Sequence, residues 1–579
     1  MTNSVAVAEC VKQLTALVPL WCRGYQRAWL SGDLVAGLIV TVMLIPQSLA
    51  YAMLAGLPPE VGLYASMLPL VAYAIFGSSM TLAVGPVAVA SLMTASALSS
   101  LAVPGSPDYV AMAVMLALLS GTMLFVFSML RLGFLAYFLS HPVISGFISG
   151  SAVVIALGQL QYLFGLKLAG DGVIDTIAGL INGLPQAHLT TTTIGLAALA
   201  FLFFTRQFLS RLLTTFGLES RTADLMSKLA PMVVVIVSTV VVAHFDFDAA
   251  GVSVVGHVPA GLPMLALPQL SWRSISLLWV PALLIALVGF VESVSVAQSL
   301  ALKRGQKITP DRELLGIGAA NLASAFSGGY PVTGGFARSV VNFSAGAHTP
   351  FAGIVSAALM AMVVAGFAGL FYALPHAVLA ATIIVAVVAL IDVGTLKEAW
   401  RYDRADAASL LLTFAGVVFW GVEQGIVLGV VLSLGLLVWR SSRPHMAVVG
   451  RVPGTEHFRN IDRYDVETLP DLIALRMDES LFFANAHALE EKIESLIALH
   501  PETRRVLLIL SAVNRLDATA LDVLTAWEET LAARGIALQF AEVKGPVLDR
   551  LRGTHLGARM KDRIFLSTYQ AFTEKTVND

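Results

Sequence analysis

The chain has 579 residues, 57% of them hydrophobic and only 13% charged, with a mean hydropathy of +0.79. A soluble globular protein is about a quarter charged, so lipid must solvate most of this one. The formal charge of −2 averages an apolar bulk with a polar tail and gives no reason to expect a nucleic-acid partner.

Residues 1–31 carry Lys12 ahead of a modest apolar stretch that Pro19, Arg23 and Arg27 interrupt. No small-residue cleavage site follows, so the segment reads as an amphipathic surface helix rather than a signal peptide. Cys10 and Cys22 both precede the first span, and no disulfide framework is implied. Apolar stretches then lay out as fourteen segments of membrane-spanning character. Seven lie near 32–50, 61–76, 81–102, 109–130, 142–163, 188–205 and 231–243. Seven more lie near 277–302, 314–328, 334–346, 350–368, 374–391, 408–421 and 424–440. With the N-terminus in the cytoplasm, nearly every loop lysine and arginine, from Lys12 to Arg440, falls inside. Only Lys167 and Arg273 fall outside, as the positive-inside rule requires. The expected fold is therefore an α-helical polytopic membrane protein, multi-pass in the cell membrane with both termini cytoplasmic. Its transmembrane domain spans 32–440, built from a repeat at about 32–243 and a second, inverted repeat at about 277–440.

Both halves have an apolar first segment carrying a polar group at mid-depth. In VTVMLIPQSLAYAML (40–54), Pro46 frees the Val42 carbonyl, Gln47 places an amide in the membrane, and Tyr51 follows one turn later on the same face. In ALLIALVGFVESVSVAQSLALKRG (282–305), Glu292 is the one acidic residue placed centrally in any span. The third segment of each half is interrupted. SSMTLAVGPVAVAS (78–91) breaks at Gly85–Pro86, so a half-helix begins near Val87 and Ala88. GGYPVTGGFARSVVN (328–342) breaks at Pro331 and Gly334–Gly335, with Phe336, Ala337 and Arg338 opening the next helix. Proline favours an extended residue before it and glycine permits sharp bends. Each segment thus reads as a strand feeding a half-helix, and the two helix N-termini face one another. Uncapped N–H groups and the helix dipole favour an anion there, and Arg338 adds a full positive charge. Close helix packing at the glycines, an ion pair between Glu292 and Arg338, and an interhelical hydrogen bond from Gln47 are the structural alternatives.

After WRSSRPH (439–445) the chain becomes charged and alternating. Strands are expected at 469–477, 505–513 and 536–543, with a helix over 519–535 ended by Gly535, giving a cytosolic α/β domain over 446–579. Catalysis has little support. No Ser–His–Asp or metal-ligand spacing stands out, the eleven histidines are scattered, and neither a cofactor nor a metal is expected.

The elements IPQSLAYAMLAGLPPEVGLYAS (45–66), FGSS (76–79), VGPVAVAS (84–91) and GFARSVVN (335–342) resemble the sulfate-permease family of anion transporters, whose animal branch includes the motor protein prestin. The resemblance implies a seven-plus-seven inverted repeat arranged as core and gate domains, usually dimeric, with elevator-like alternating access. It places anion contacts on Gln47, Tyr51, Val87, Arg338 and the backbone of the two half-helices. Where relatives often have serine before the arginine, this chain has Ala337. NRLDATALDVL (514–524) and ESLFFANAHALEEKI (479–493) resemble the STAS module. The regulatory position there would be Asp517 and Thr519, but Ala520 replaces the usual glycine, which favours a plain helix N-cap over phosphorylation. Dimer contact, folding support or docking of a cytosolic protein is the implied work of that domain.

A dianion entering against ~100 mV faces roughly 4.6 kcal/mol, so accumulation requires coupling. An ionised Glu292 about 8 Å from the site would oppose each anion charge by on the order of 2 kcal/mol. Protonating it removes that term, which makes proton and anion favour each other's binding. Proton-coupled uptake is thus the leading expectation. Sodium is the rival, although Val296 stands where a sodium-coupled relative carries a hydroxyl. Anion exchange, an anion channel or motor, and a membrane scaffold centred on the STAS-like domain are the remaining alternatives. Sulfate, bicarbonate, a dicarboxylate and a halide all suit such a pocket.

Overall fold

The computed structural model describes residues 19–137, 140–166, 172–259, 261–263, 265 and 271–574. Of the N-terminal surface segment, residues 1–18 with Cys10 and Lys12 lie outside the described residues, as does Lys167; its remainder forms short 3-10 turns at Leu20–Gly24 and Arg27–Trp29 rather than one amphipathic helix. The chain divides into two compact units, 1–433 and 434–579.

In the first unit, α1 (Leu30–Leu54) runs unbroken through Pro46. The second stretch breaks into α2 (Pro59–Tyr64) and α3 (Leu68–Phe76), each opened by a proline in its first turn. β1 (Val84–Gly85) then leads into the short α4 (Ala88–Leu98). Next come α5 (Pro107–Met129), α6 (His141–Phe164), α7 (Val173–Gly183) and α8 (Leu189–Phe204). A π-helical turn at Thr205–Leu209 continues α8 into α9 (Ser210–Thr215), followed by α10 (Ser220–Ser227) and α11 (Ala230–His244). The second half repeats the plan. It contains α12 (Trp272–Leu302), α13 (Pro310–Phe326), β2 (Thr333–Gly334), α14 (Phe336–Ala345), α15 (Phe351–Phe367) and α16 (His376–Val388). It closes with α17 (Val393–Tyr402), α18 (Arg404–Trp420) and α19 (Val422–Ser442). Among the described residues, nine helices are long and apolar enough to cross a membrane, and α4 and α11 are shorter apolar ones.

These helices gather into two bundles. One contains α1–α5 with α12–α15, and the other joins α6, α8, α11, α16, α18 and α19. Small residues bring axes together where hydrophobic exclusion alone cannot drive association in lipid. Gly121 of α5 and Gly318 of α13 lie against each other's backbone, as do Gly146 of α6 and the Leu410 carbonyl of α18. Two fully buried carboxylates cap loops inside the first bundle. Glu313 accepts hydrogen bonds from Tyr73 Oη (2.7 Å) and from the Ser78 and Ser79 amides (2.9 Å each). Asp33 accepts from the His348 and Thr349 amides and the Thr349 hydroxyl.

The second unit holds a six-stranded sheet in the order β4-β3-β5-β6-β7-β8. Its strands are β3 (Met446–Arg451), β4 (Phe458–Asn460), β5 (Leu472–Met477), β6 (Arg505–Ile509), β7 (Ala537–Ala541) and β8 (Ile564–Phe565). The last four run parallel. Helices α20 (Ala486–Leu499) and α21 (Ala518–Ala533) cover one face, with Leu489, Ile493, Leu524 and Trp527 packed on Ile473, Leu475 and Leu508. Phe458 and Phe572 cover the other face. The three expected strands and the expected helix all appear, with ends that differ from expectation by at most four residues. Gly535 ends the helix at φ +73°.

Candidate anion site

The two interrupted segments meet. β1 and β2 pair antiparallel, Val84 opposite Gly334 and Gly85 opposite Thr333. The two helices therefore leave the junction in opposite directions. Non-helical backbone at membrane depth needs partners, and polar side chains supply them. Ser293 Oγ of α12 accepts from the Gly334 amide at 2.8 Å, and Thr333 Oγ1 donates to the Gly289 carbonyl at 2.7 Å. Asn321 brackets Val332, donating to its carbonyl and accepting from its amide. On α14, Ser339 Oγ accepts from the Ala83 amide at 2.9 Å, and Asn342 donates to the Thr81 carbonyl at 3.0 Å. The Tyr330 and Ser91 hydroxyls bond at 2.9 Å and tie the second repeat's extended segment to α4. Side chains of the second half thus fasten the bare backbone of both interrupted segments.

What is left unfastened marks the site. α4 begins after Val87 and α14 after Gly335, neither with a side-chain cap, so the first-turn N–H groups stay free for a ligand. Arg338 is 2% exposed, yet neither Nη1 nor Nη2 has a hydrogen-bond partner. Its guanidinium lies over the strand pair. A Cβ at Gly85 would sit 3.3 Å from Nη1, and one at Gly335 would sit 2.9 Å from Nη2 and 3.2 Å from Val87 Cγ1. A buried, unpaired guanidinium costs several kcal/mol unless an anion compensates it.

Gly85, Val87, Gly335 and Arg338 therefore come together, with Pro86 and Ala88 buried beside them. Tyr51 is buried on α1 in the neighbourhood of Arg338, as are Tyr330 and Glu292. No ion pair joins Glu292 to Arg338 among the described residues, because both terminal nitrogens of the arginine are free. Gln47, Phe336 and Ala337 line a cavity of about 370 Å³ that has α1 and α14 on one side and the π turn, α11 and α16 of the other bundle on the opposite side. Arg206, Lys228 and Asp224 stand on its far wall. In the second unit, Asp517 is the N-cap of α21, accepting from the Ala520 amide at 2.8 Å, and Thr519 is exposed in its first turn. Sequence reasoning missed Tyr330, Ser293, Asn321, Ser339 and Asn342, although the last two lie inside the GFARSVVN run. No group of three or more metal-ligating side chains occurs among the described residues.

Comparison with known proteins agrees with this architecture. A model described as "Sulfate permease family" matches residues 30–413, and a STAS domain model matches 463–571. The chain is 33% identical over 559 residues to a protein of Mycobacterium tuberculosis named as a probable sulfate transporter, covering 96% of this chain and 97% of that one. It is 33% identical over 531 residues to the chloroplastic sulfate transporter 4.1 of Arabidopsis thaliana, covering 90% and 76%. In fold it matches the murine Solute Carrier 26 family member A9 anion transporter with a TM-score of 0.88 at 20% identity, covering 97% and 94% of the two chains. The transmembrane domain of the cyanobacterial bicarbonate transporter BicA matches at 0.58 and 24% identity, covering 71% and 99%. The chain is a multi-pass membrane protein that belongs to the sulfate permease family, a family of transporters rather than enzymes, and its second unit is a STAS domain.

Proposed function

We propose that the protein carries sulfate or a closely related anion into the cell, coupled to protons, by elevator-like movement of the Arg338 bundle against the other. The observation that carries this reading is the unpartnered Arg338 guanidinium beside two uncapped helix starts. Backbone N–H groups, helix dipoles and a cation aimed at one point form an anion seat. Relatives named as sulfate transporters, in a bacterium and a plant, favour sulfate among the candidates. Gln47, Phe336 and Ala337 would meet the anion from the cavity side, and Tyr51 from the buried side. The cavity between the bundles supplies the route, and its basic wall faces the cytoplasm if the loop charges are placed by the positive-inside rule.

Glu292 is the coupling group in this reading. It acts on Arg338 electrostatically without pairing to it, so its charge opposes the anion and its protonation favours the anion. Sodium finds less to hold there. The Ser293 and Thr333 hydroxyls both lie within hydrogen-bond distance of the Gly289 carbonyl, which takes up their protons, and Ser293 Oγ also accepts from the Gly334 amide; position 296 is valine. In proteoliposomes, Glu292→Gln should keep sulfate exchange while losing accumulation driven by a pH gradient. Accumulation as strong as in the parent protein would refute the coupling role.

A further inference from the structure

Glu292 has surroundings unlike those of Arg338. Half-buried on α12, it lines a cavity of about 20 Å³ whose facing walls are hydrocarbon: Val143, Ile144, Phe147 and Ile148 of α6 and Ile426 of α19. Those helices belong to the opposite bundle, so the carboxyl looks across the seam along which the bundles would slide. A space of that size has volume for about one water, but a buried water needs two to four polar partners. Here it would find only the carboxyl.

No counter-charge stands on that wall. α4 carries no titratable side chain, and those of α6 are its outlying His141 and Tyr162, which interact with Asp392 and His376. On α19, Glu423 precedes Ile426 by one turn and adds a second carboxyl rather than a cation. α5 and α13 carry Asp108, Tyr109, Asp311, Arg312 and Glu313 in their first turns, remote from mid-helix Glu292. From its own bundle, Arg338 and the neutral Tyr51 are the titratable groups in the neighbourhood of Glu292.

We propose that this hydrocarbon wall is a filter that stops the anion-loaded carrier from moving while Glu292 is ionised. The inference rests on the proton-coupled reading above and gives it a structural cause. With an anion bound, Arg338 is engaged, and an ionised Glu292 would have to be dragged unhydrated along aliphatic surface. Protonation removes the charge and frees the slide. With the anion gone, the unengaged Arg338 charge offsets that of Glu292 within the same bundle and lowers the cost of the slide, so the empty carrier returns. Loaded-protonated and empty species move, and the loaded-deprotonated species does not. A symporter needs that rule, and affinity coupling alone does not provide it.

Sulfate–sulfate exchange in proteoliposomes tests the filter, because only loaded carriers contribute. At saturating sulfate, changes in affinity drop out. The parent protein should lose exchange at alkaline pH, and Glu292→Gln should not. Ile148→Asn, which gives the carboxylate a polar neighbour, should exchange about tenfold faster than the parent at the alkaline end and equally at the acidic end. The near-isosteric Val143→Thr guards against a misfolded Ile148→Asn and should shift in the same direction. If both wall variants keep the parent's alkaline loss while Glu292→Gln has lost it, the filter is overturned and the coupling role survives. If Glu292→Gln also keeps that loss, both fall.

Discussion

Arg338 can reach over the strand pair because Gly85 and Gly335 leave the space its head occupies. Burial of the side chain removes water as a partner, and the fastened backbone removes carbonyls, so the guanidinium waits for an exogenous acceptor. The adjacent residue tunes how well that acceptor is held. Ala337 is exposed to the large cavity and precedes the arginine on the first turn of α14. A hydroxyl there would add a donor at the helix start, and a hydrogen bond to a charged group contributes about 1.5–3 kcal/mol at best. Ala337→Ser should therefore lower the KM for sulfate uptake by roughly tenfold, the lower end of that range, because residue 337 is exposed to the cavity. Initial-rate uptake would show it. An unchanged KM would place the 337 side chain away from the bound anion.

At the scale of the element, the strand-to-helix junction is a close-packed device with little tolerance. A methyl at Gly335 would meet both the arginine head and Val87, and Gly85 adds a backbone at φ +156°. Gly335→Ala should push the guanidinium out of line. Misplacement by about 1 Å can cost on the order of 100-fold in function. Gly366→Ala in α15, where nothing lies within 4 Å, is the matched control and should transport normally. If Gly335→Ala transports like that control, the junction does not set the arginine. The junction was legible in the sequence because only proline and glycine mark such breaks, and because they recur at matching places in two halves. Its fastenings were not. Ser339, Asn342, Ser293 and Asn321 are ordinary residues whose partners lie between 11 and 261 positions away, and nothing local reveals them. The amphipathic α7 and α17 also escaped notice, since a search for apolar spans passes over a helix with one polar face. In the STAS domain the parallel strands β5, β6 and β7 declared themselves as apolar runs, whereas the short β4 and β8 have too few residues for any pattern.

For the membrane unit as a whole, two bundles that touch along a seam containing a cavity are the arrangement that relative motion would use for transport. Each bundle is tied internally by small-residue helix contacts, and the contents of the anion site come almost wholly from one of them: β1, α4, β2, α14 and Tyr51 of α1. A carrier built this way moves its site as a rigid body, and the opposite bundle supplies the walls. Joining the two should then arrest transport without dismantling the site. Val340 of α14 and Ala386 of α16 line the same cavity from opposite bundles, and the chain has only two cysteines to replace, Cys10 and Cys22. A Val340→Cys, Ala386→Cys pair in that background, bridged by a short bifunctional maleimide, should abolish sulfate uptake while sulfate still protects the purified protein against thermal unfolding. Stabilisation by ligand follows free-ligand concentration over Kd, about 2.7 kcal/mol at a hundredfold excess, so retained protection reports an intact site. Each single cysteine treated with the same reagent is the control for bulk in the cavity. Uptake that survives bridging would mean that the anion passes between stationary bundles, which is the behaviour of a channel. Uptake and protection lost together would mean that the anion site draws on both bundles and cannot travel with one.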